Sequence, residues 1–329
     1  MINMNQLPAY EIIQTQRLEG LNSDGILLKH KKTGARICLF LNQDDNKVFQ
    51  IGFRTPPKDH TGVPHIVEHT VLCGSDQFPL KDPFVELVKG SLNTFINAIT
   101  YPDKTIYPVA SCNDKDFANL MHVYLDAVFH PNIYKYEEIF KQEGWHYELE
   151  DLNSPLTING VVYNEMKGAY SAPEEILQHE IMMSLYPDTP YSNESGGHPD
   201  HICTLTREGF LEFHRTYYHP SNSFIYLYGD LDMEERLTFL DEEYLSKYDY
   251  LEVDSNILLQ KSNSEIVRKT VEYSLASSEL ESENGFFSYN YVIGDSLNKE
   301  LYIAMDILNY ALFNAPGAVV KKKLIDAGI

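Results

Sequence analysis

The pattern of hydrophobic and polar positions predicts short strands and amphipathic helices in alternation. In residues 35–55, the apolar segments ARICLFLN and KVFQIGFRT flank a polar NQDDN turn, a pattern typical of a strand pair. In residues 116–129, apolar side chains recur at helical spacing. Strands interleaved with helices in this way indicate an α+β sandwich, in which helices pack on one face of an antiparallel-rich sheet.

The same reasoning predicts the other elements of the first 248 residues. Strands are expected at 92–100, 105–111, 145–150 and 223–230. Helices are expected at 82–90, 137–144, 159–170, 173–185, 207–218 and 233–247.

The pattern divides the chain into two domains. We predict a catalytic domain at residues 1–248 and a linker at 249–264, where the sequence is polar and weakly patterned. Residues 265–329 are predicted to begin a second α/β domain of similar type, with strands at 265–276 and 286–294 and helices at 297–313 and 317–327. Because about 65 residues are few for an independent core, we expect this second domain to be incomplete.

Residues 61–74, TGVPHIVEHTVLCG, predict a helix of about three turns. Thr61 suits the N-cap and Pro64 suits the first turn, where an amide proton has no partner. Gly74 suits the C-terminal end.

On that helix, His65 and His69 lie one turn apart on one face and Glu68 lies beside them. Two neutral imidazoles can bind one cation, and the carboxylate then stands next to a water bound by that cation. An HxxEH string also arises by chance. The string alone therefore leaves open both a metal site and ordinary core or surface histidines.

A third ligand is needed, because a catalytic zinc normally takes three protein ligands and a water. Glu165, in GVVYNEMKGAY, shares a helix face with Val161, Val162 and Ala169, so packing of the valines is expected to bring the carboxylate inward. A buried carboxylate pairs either with a metal or with a lysine or arginine. Both alternatives remain open from the residues.

The sequence resembles the pitrilysin or insulinase family of zinc metallopeptidases, the inverted zincins, and is most similar to their presequence protease and falcilysin branch. The resemblance rests first on two motifs, HIVEH at 65–69 and NEMKG at 164–168. It extends over most of residues 50–230 through GVPHIVEHTVLCGS, SLNTFINAITYPDKTIYPVAS, VYLDAVFHP, GVVYNEMKGAY, SGGHPDHI and YYHPSN running into YLYGD.

The resemblance implies a zinc-dependent endopeptidase that hydrolyses unstructured peptides with a metal-activated water. By position, His65, His69 and Glu165 would be the ligands of one Zn²⁺ per chain. Glu68 would be the general base that takes a proton from the water and passes it to the leaving amine.

The resemblance also implies an edge strand that binds substrate as an added strand. Asn97 and Ala98 lie in the matching segment and are the candidates for substrate contact. The alternative is that Asn97 only satisfies a turn. His198, in the glycine-rich GGHPD loop, is expected to have a loop role and not a ligand role.

Members of this family are generally much longer, with two halves that close around a chamber. We therefore expect a C-terminal half of the same enzyme to complete the active site. Metal binding is expected to survive in this chain, but turnover is expected to be weak or absent without water-excluding closure.

The charge composition limits the classes of partner that the protein can bind. The 48 Asp and Glu against 26 Lys and Arg give a net charge of −22, which argues against nucleic acid and anionic membranes. The charge favours basic peptides, or it simply provides a soluble acidic surface. The sequence has no run of about 18 apolar residues and no secretory or transit signal, so we expect a cytoplasmic protein with no membrane partner.

The four cysteines, Cys38, Cys73, Cys112 and Cys203, form no CxxC pair, so neither a thiolate zinc site nor a disulfide framework is expected.

Two other functions remain as alternatives. One is a catalytically silent peptide-binding or assembly scaffold of the same superfamily, which would have no need of His65, Glu68, His69 and Glu165 together. The other is a metal enzyme of the S-ribosylhomocysteine lyase type, which also carries an HxxEH helix but resembles none of the other segments.

Overall fold

The computed structural model describes residues 3–263, 265–275 and 284–328. The chain falls into two compact units, Met1–Asn284 and Gly285–Ile329, each considered by itself. The division with a linker at 249–264 stays a prediction, although residues 249–263 form no helix or strand.

The first unit is built on a mixed sheet. Its strands lie in the order β1-β2-β3-β10-β4-β7-β5, and β6 also pairs with β7, while β8 and β9 form a separate pair. Their bounds are β1 Tyr10–Leu18, β2 Ser23–His30, β3 Arg36–Leu41, β4 Lys47–Arg54, β5 Asn93–Ile96, β6 Ile99–Thr100, β7 Lys104–Ser111, β8 His146–Glu148, β9 Thr157–Asn159 and β10 Ser223–Gly229.

The helices of the first unit are α1 Val63–Val71, α2 Pro83–Gly90, α3 Asp114–Phe129, α4 Glu137–Glu143, α5 Val161–Ala169, α6 Pro173–Leu185, α7 Pro199–Ile202, α8 Arg207–Tyr217 and α9 Met233–Glu243. Helix α3 packs against β4 and β7, and α1 packs against β6, α4 and α8. The buried residues of these helices and of one sheet face form a single core cluster. The predicted α+β class, with helices on an antiparallel-rich sheet, is therefore confirmed.

The predicted pairing of the two strands within residues 35–55 is wrong. Strand β10 lies between them, parallel to β3 and antiparallel to β4. Its alternate residues Ile225 and Leu227 are completely buried, so this strand occupies the centre of the sheet. A short polar turn makes a hairpin the local expectation, but β3 and β4 each pair with β10, a strand about 180 residues later in the chain, and not with each other.

Helix α8 carries a buried histidine, His214, which is 4% exposed. Its Nε2 donates to the Val128 carbonyl at 3.0 Å, and its Nδ1 accepts from the Tyr134 hydroxyl at 2.7 Å. Burial lowers the pKa of His214 to about 4. The ring is therefore held neutral at physiological pH.

The second unit contains α10 Lys299–Asn309, a π-helical turn at Tyr310–Asn314 and α11 Val319–Asp326. These helices agree with the predicted ones. The predicted strands at 265–276 and 286–294 are wrong in the part that the structure describes, residues 265–275 and 286–294, which are irregular. No described strand lies beside either segment to supply a ladder, and an unpaired strand is not stable. Residue 276 lies outside the described residues.

Residues Lys299–Asp326 are long and apolar enough to cross a membrane by length and composition alone. This criterion is weak evidence when only one helix meets it. Pro316 and Gly317, the latter with φ +75°, separate α10 from α11 within the segment.

Candidate metal centre

The N-cap of helix α1 lies one residue later than predicted. Thr61 does not cap it, because both its amide and its hydroxyl donate to Asp59, at 2.9 and 2.5 Å. Gly62 takes the N-cap position in the left-handed region, with φ +68°. A Cβ at Gly62 would lie 2.5 Å from the Gly197 Cα. The helix therefore starts at a glycine so that the loop of residues 194–198 can approach it.

Helices α1 and α5 bring His65, His69 and Glu165 together. Their ligand atoms all lie within 4.8 Å of one another. Glu165 Oε1 is 3.8 Å from His65 Nε2, and Glu165 Oε2 is 3.8 Å from His69 Nε2. These distances are too long for hydrogen bonds, but tetrahedral zinc with bonds of about 2.0–2.1 Å would place its ligands about 3.3 Å apart. Small side-chain movements would suffice to close the set on one ion.

The expected burial of Glu165 is only partly correct. Val162 is fully buried, but the Glu165 side chain is 54% exposed and Val161 is also exposed. No lysine or arginine of the described residues lies within 4 Å of the Glu165 carboxylate, which pairs only with the two histidines. The alternative of a structural salt bridge therefore receives no support.

Both imidazoles are held in the tautomer that a metal requires. His65 Nδ1 donates to the Gly196 carbonyl at 3.0 Å, and His69 Nδ1 donates to Glu143 Oε2 at 3.3 Å. Because Nδ1 carries the proton in each neutral ring, the lone pair is on Nε2, the atom nearest Glu165. Partners of this kind orient metal-binding histidines and raise their basicity. The residues present therefore fit a zinc ion.

Glu143, the last residue of α4, contacts His69 Nδ1, and the sequence did not reveal this contact. Its side chain is 11% exposed, and Gln142 Nε2 donates to its other oxygen at 3.1 Å. Burial acts to lower the pKa of His69, but the hydrogen bond to Glu143 and the charges of Glu68, Glu143 and Glu165 outweigh it and raise this pKa. The surrounding charge thus favours a positive charge at His69, whether a proton or a metal.

Glu68 lies beside the triad and is 8% exposed. Thr100 Oγ1, on β6, donates to Glu68 Oε2 at 2.6 Å. Among the described residues Glu68 Oε1 has no hydrogen-bond donor, so it can accept a proton from a water. The pKa of Tyr124 is raised, mainly by burial and then by the charge of Glu68. The Tyr124 hydroxyl donates to the Asn97 carbonyl at 3.2 Å.

Asn97 and Ala98 connect β5 to β6. Since β5 ends the strand order, this segment lies at an edge of the sheet, as predicted. The Asn97 amide donates to the Pro108 carbonyl at 3.2 Å, while its side chain is exposed. Substrate contact by Asn97 and Ala98 stays a prediction.

His198 lies outside the triad. Its Nδ1 accepts from the Asp200 amide at 3.2 Å and so caps α7. This contact agrees with the loop role expected from the sequence.

Comparisons with known proteins place the chain among peptidases. The family model "Insulinase (Peptidase family M16)" matches residues 48–196, which include the triad, and "Peptidase M16 inactive domain" matches residues 204–328. The chain is 54% identical to Protein HypA of Clostridium perfringens, over 99% of this chain and 33% of that protein. It is 46% identical to presequence protease 1, chloroplastic/mitochondrial, of Arabidopsis thaliana, over 97% of this chain and 30% of that protein.

Among solved structures, the crystal structure of pitrilysin is similar with a TM-score of 0.59 and 17% identity, over 75% of this chain and 25% of that one. This likeness shows the fold alone. The chain spans about a third of the length of the curated relatives it matches. The two family models together cover most of the sequence, so the chain belongs to the pitrilysin/insulinase (M16) family of peptidases.

Proposed function

We propose that this chain carries the catalytic centre of a zinc-dependent endopeptidase that hydrolyses unstructured peptides. The observation that supports this most is the convergence of His65, His69 and Glu165 with Glu68 beside them. Relatives named as presequence proteases support a peptide as the substrate class.

His65, His69 and Glu165 would hold the ion through two Nε2 atoms and a carboxylate. A zinc ion bound there would lower the pKa of a water molecule and polarise the carbonyl group of the substrate. The contacts from Gly196 and Glu143 keep both imidazole rings in place while substrate enters and leaves.

Glu68 is the general base in this proposal. The Thr100 hydroxyl holds Oε2, so the carboxylate keeps one orientation and presents Oε1. Oε1 would take a proton from the attacking water and then transfer it to the leaving amine, which makes the arrangement hydrolytic.

The peptide would add as a strand to the sheet edge at β5 and β6, where backbone hydrogen bonds give affinity. Thr100 belongs to this edge and contacts Glu68, so the same segment would position the substrate and the base. The net charge of −22 favours basic peptides.

The rest of the enzyme would complete the chamber. Because closure excludes water and positions the substrate, we expect this chain alone to bind zinc and to be weakly active or inactive. A cytoplasmic location stays a prediction.

The proposal is tested by the metal content of the purified chain. Elemental analysis after extensive dialysis should find about one zinc per chain, and His65→Gln or His69→Gln should abolish it. A well-folded chain without retained metal would contradict the proposal. Incubating the complete enzyme with unstructured peptides, with and without a chelator, would separate a peptidase from a silent scaffold.

A further inference from the structure

Four histidines form a second cluster near the proposed centre, here called the histidine cluster: His60, His179, His198 and His201. Their ring centres form a closed circuit, with 5.3 Å from His60 to His179, 5.6 Å to His198, 5.4 Å to His201 and 5.3 Å back to His60. The rings come from the segment before α1, from α6, from the N-cap of α7 and from α7 itself.

This spacing is close to that of imidazoles around one metal ion. With metal–nitrogen bonds of about 2.0–2.1 Å, four tetrahedral imidazoles have ring centres about 5 Å apart. The nitrogens have not converged on one point: among the described residues, His65, His69 and Glu165 form the one group whose ligand atoms are placed to hold a metal ion. Rotation of the rings is needed, and the final torsion of histidine is broad.

His179 is already arranged as a ligand. Its Nδ1 lies 3.4 Å from Glu194 Oε2, so its Nε2 keeps the lone pair. The Glu194 carboxylate also accepts from the Tyr170 hydroxyl at 2.8 Å and from the Gly196 amide at 3.2 Å. An ionised carboxylate behind a histidine is the usual support of a metal ligand.

The other three rings can supply lone pairs. His201 is exposed, and its ring makes no hydrogen bond to the described residues. His60 and His198 accept backbone amides through Nδ1, at 3.3 Å from Glu194 and 3.2 Å from Asp200. Coordination through their Nε2 would give up these two long contacts.

We propose that the histidine cluster is a second transition-metal site, with His179 and His201 as its principal ligands and His60 and His198 completing the set. Zinc and other first-row ions that prefer imidazole are the class it would take. An ion there would tie α6 to the loop of residues 194–198, whose Gly196 carbonyl holds His65. Because the rings must rotate and all four ligands are neutral, the site should bind more weakly than the triad and lose its ion on dialysis.

The test is a zinc titration of the metal-stripped chain against a chromophoric chelator. The unmodified chain should take up two equivalents. His179→Gln/His201→Gln should take up one, and His65→Gln/His69→Gln should also take up one. His146→Gln, which replaces a histidine outside both sites, should still take up two.

Cobalt(II) bound to the His65→Gln/His69→Gln chain should show the strong visible absorption of a tetrahedral nitrogen site. His201→Gln alone, at an exposed position, should weaken the second site at least about 10-fold without disturbing the fold. The proposal is overturned if the unmodified chain takes up only the ion that the triad variant loses. It is equally overturned if a second equivalent persists unchanged in the His179/His201 variant. If instead the triad of His65, His69 and Glu165 does not bind zinc, the unmodified chain would take up only the equivalent that belongs to the histidine cluster.

Discussion

Replacing Glu143 tests whether a residue outside the ligand set supports the metal. In the unmodified chain, His69 Nδ1 lies 3.3 Å from the Glu143 carboxylate. Glu143→Gln removes the negative charge but keeps a hydrogen-bond acceptor at this position. Glu143→Ala removes both. Neither change touches His65, His69 or Glu165, so any effect on zinc must pass through the orientation and basicity of the His69 ring.

The expected magnitude follows from the contact. Outer partners of metal-binding histidines typically contribute about 10–100-fold in metal affinity, which is about 1.4–2.7 kcal/mol. The bond is mostly shielded, since the Glu143 side chain is 11% and that of His69 25% exposed. We therefore expect about 10-fold weaker zinc binding for Glu143→Gln, which keeps a neutral acceptor, and about 100-fold for Glu143→Ala.

Competition with a chromophoric chelator would measure these affinities on the metal-stripped chain. Glu138→Gln, at an exposed position of the same helix, removes an identical charge and serves as the matched control. Equal zinc affinities for Glu143→Gln, Glu143→Ala and Glu138→Gln would refute the assigned role of Glu143.

Three further predictions concern stability and the proposed base. Because folding lowers the pKa of His214 to about 4, the unfolded state binds more protons below pH 6.5, and stability should fall by about 3 kcal/mol between pH 6.5 and 4; urea unfolding followed by the single tryptophan should show a smaller pH slope for His214→Gln. Gly62→Ala places a Cβ against backbone at positive φ and should cost about 2 kcal/mol or more, whereas Gly90→Ala, with open space around it, should be tolerated in the same unfolding assay; equal midpoints would contradict this. In the complete enzyme, Thr100→Val should lower peptide cleavage about 10-fold with zinc retained, because Glu68 loses a charge-assisted hydrogen bond, and Thr100→Ser should restore cleavage; full activity of the valine variant would exclude this role.

The sequence predicted those parts of the site that depend on local spacing. The positions of His65, Glu68 and His69 on one helix follow from the helical repeat, and α3 follows from the apolar periodicity of residues 116–129. The third ligand, Glu165, had to be found on a second helix. Its predicted inward position was only partly correct, because Val162 is buried but the Glu165 carboxylate is not.

Features that depend on distant contacts were beyond such reasoning. The contact of Glu143 with His69 exists only because α4 packs against α1, and no local pattern marks it. The start of α1 is set by the approach of Gly197 to Gly62, which overrode the capping preference of Thr61. The position of β10 between β3 and β4 is likewise a non-local pairing.

The most direct test of the central claim is a comparison of the complete enzyme with its Glu68→Gln variant, in which zinc content and cleavage of an unstructured peptide are measured on the same samples. The account predicts about one dialysis-resistant zinc per chain in both proteins, and peptide cleavage only in the unmodified enzyme. Undiminished cleavage by Glu68→Gln, or cleavage that persists when zinc is removed, would contradict it.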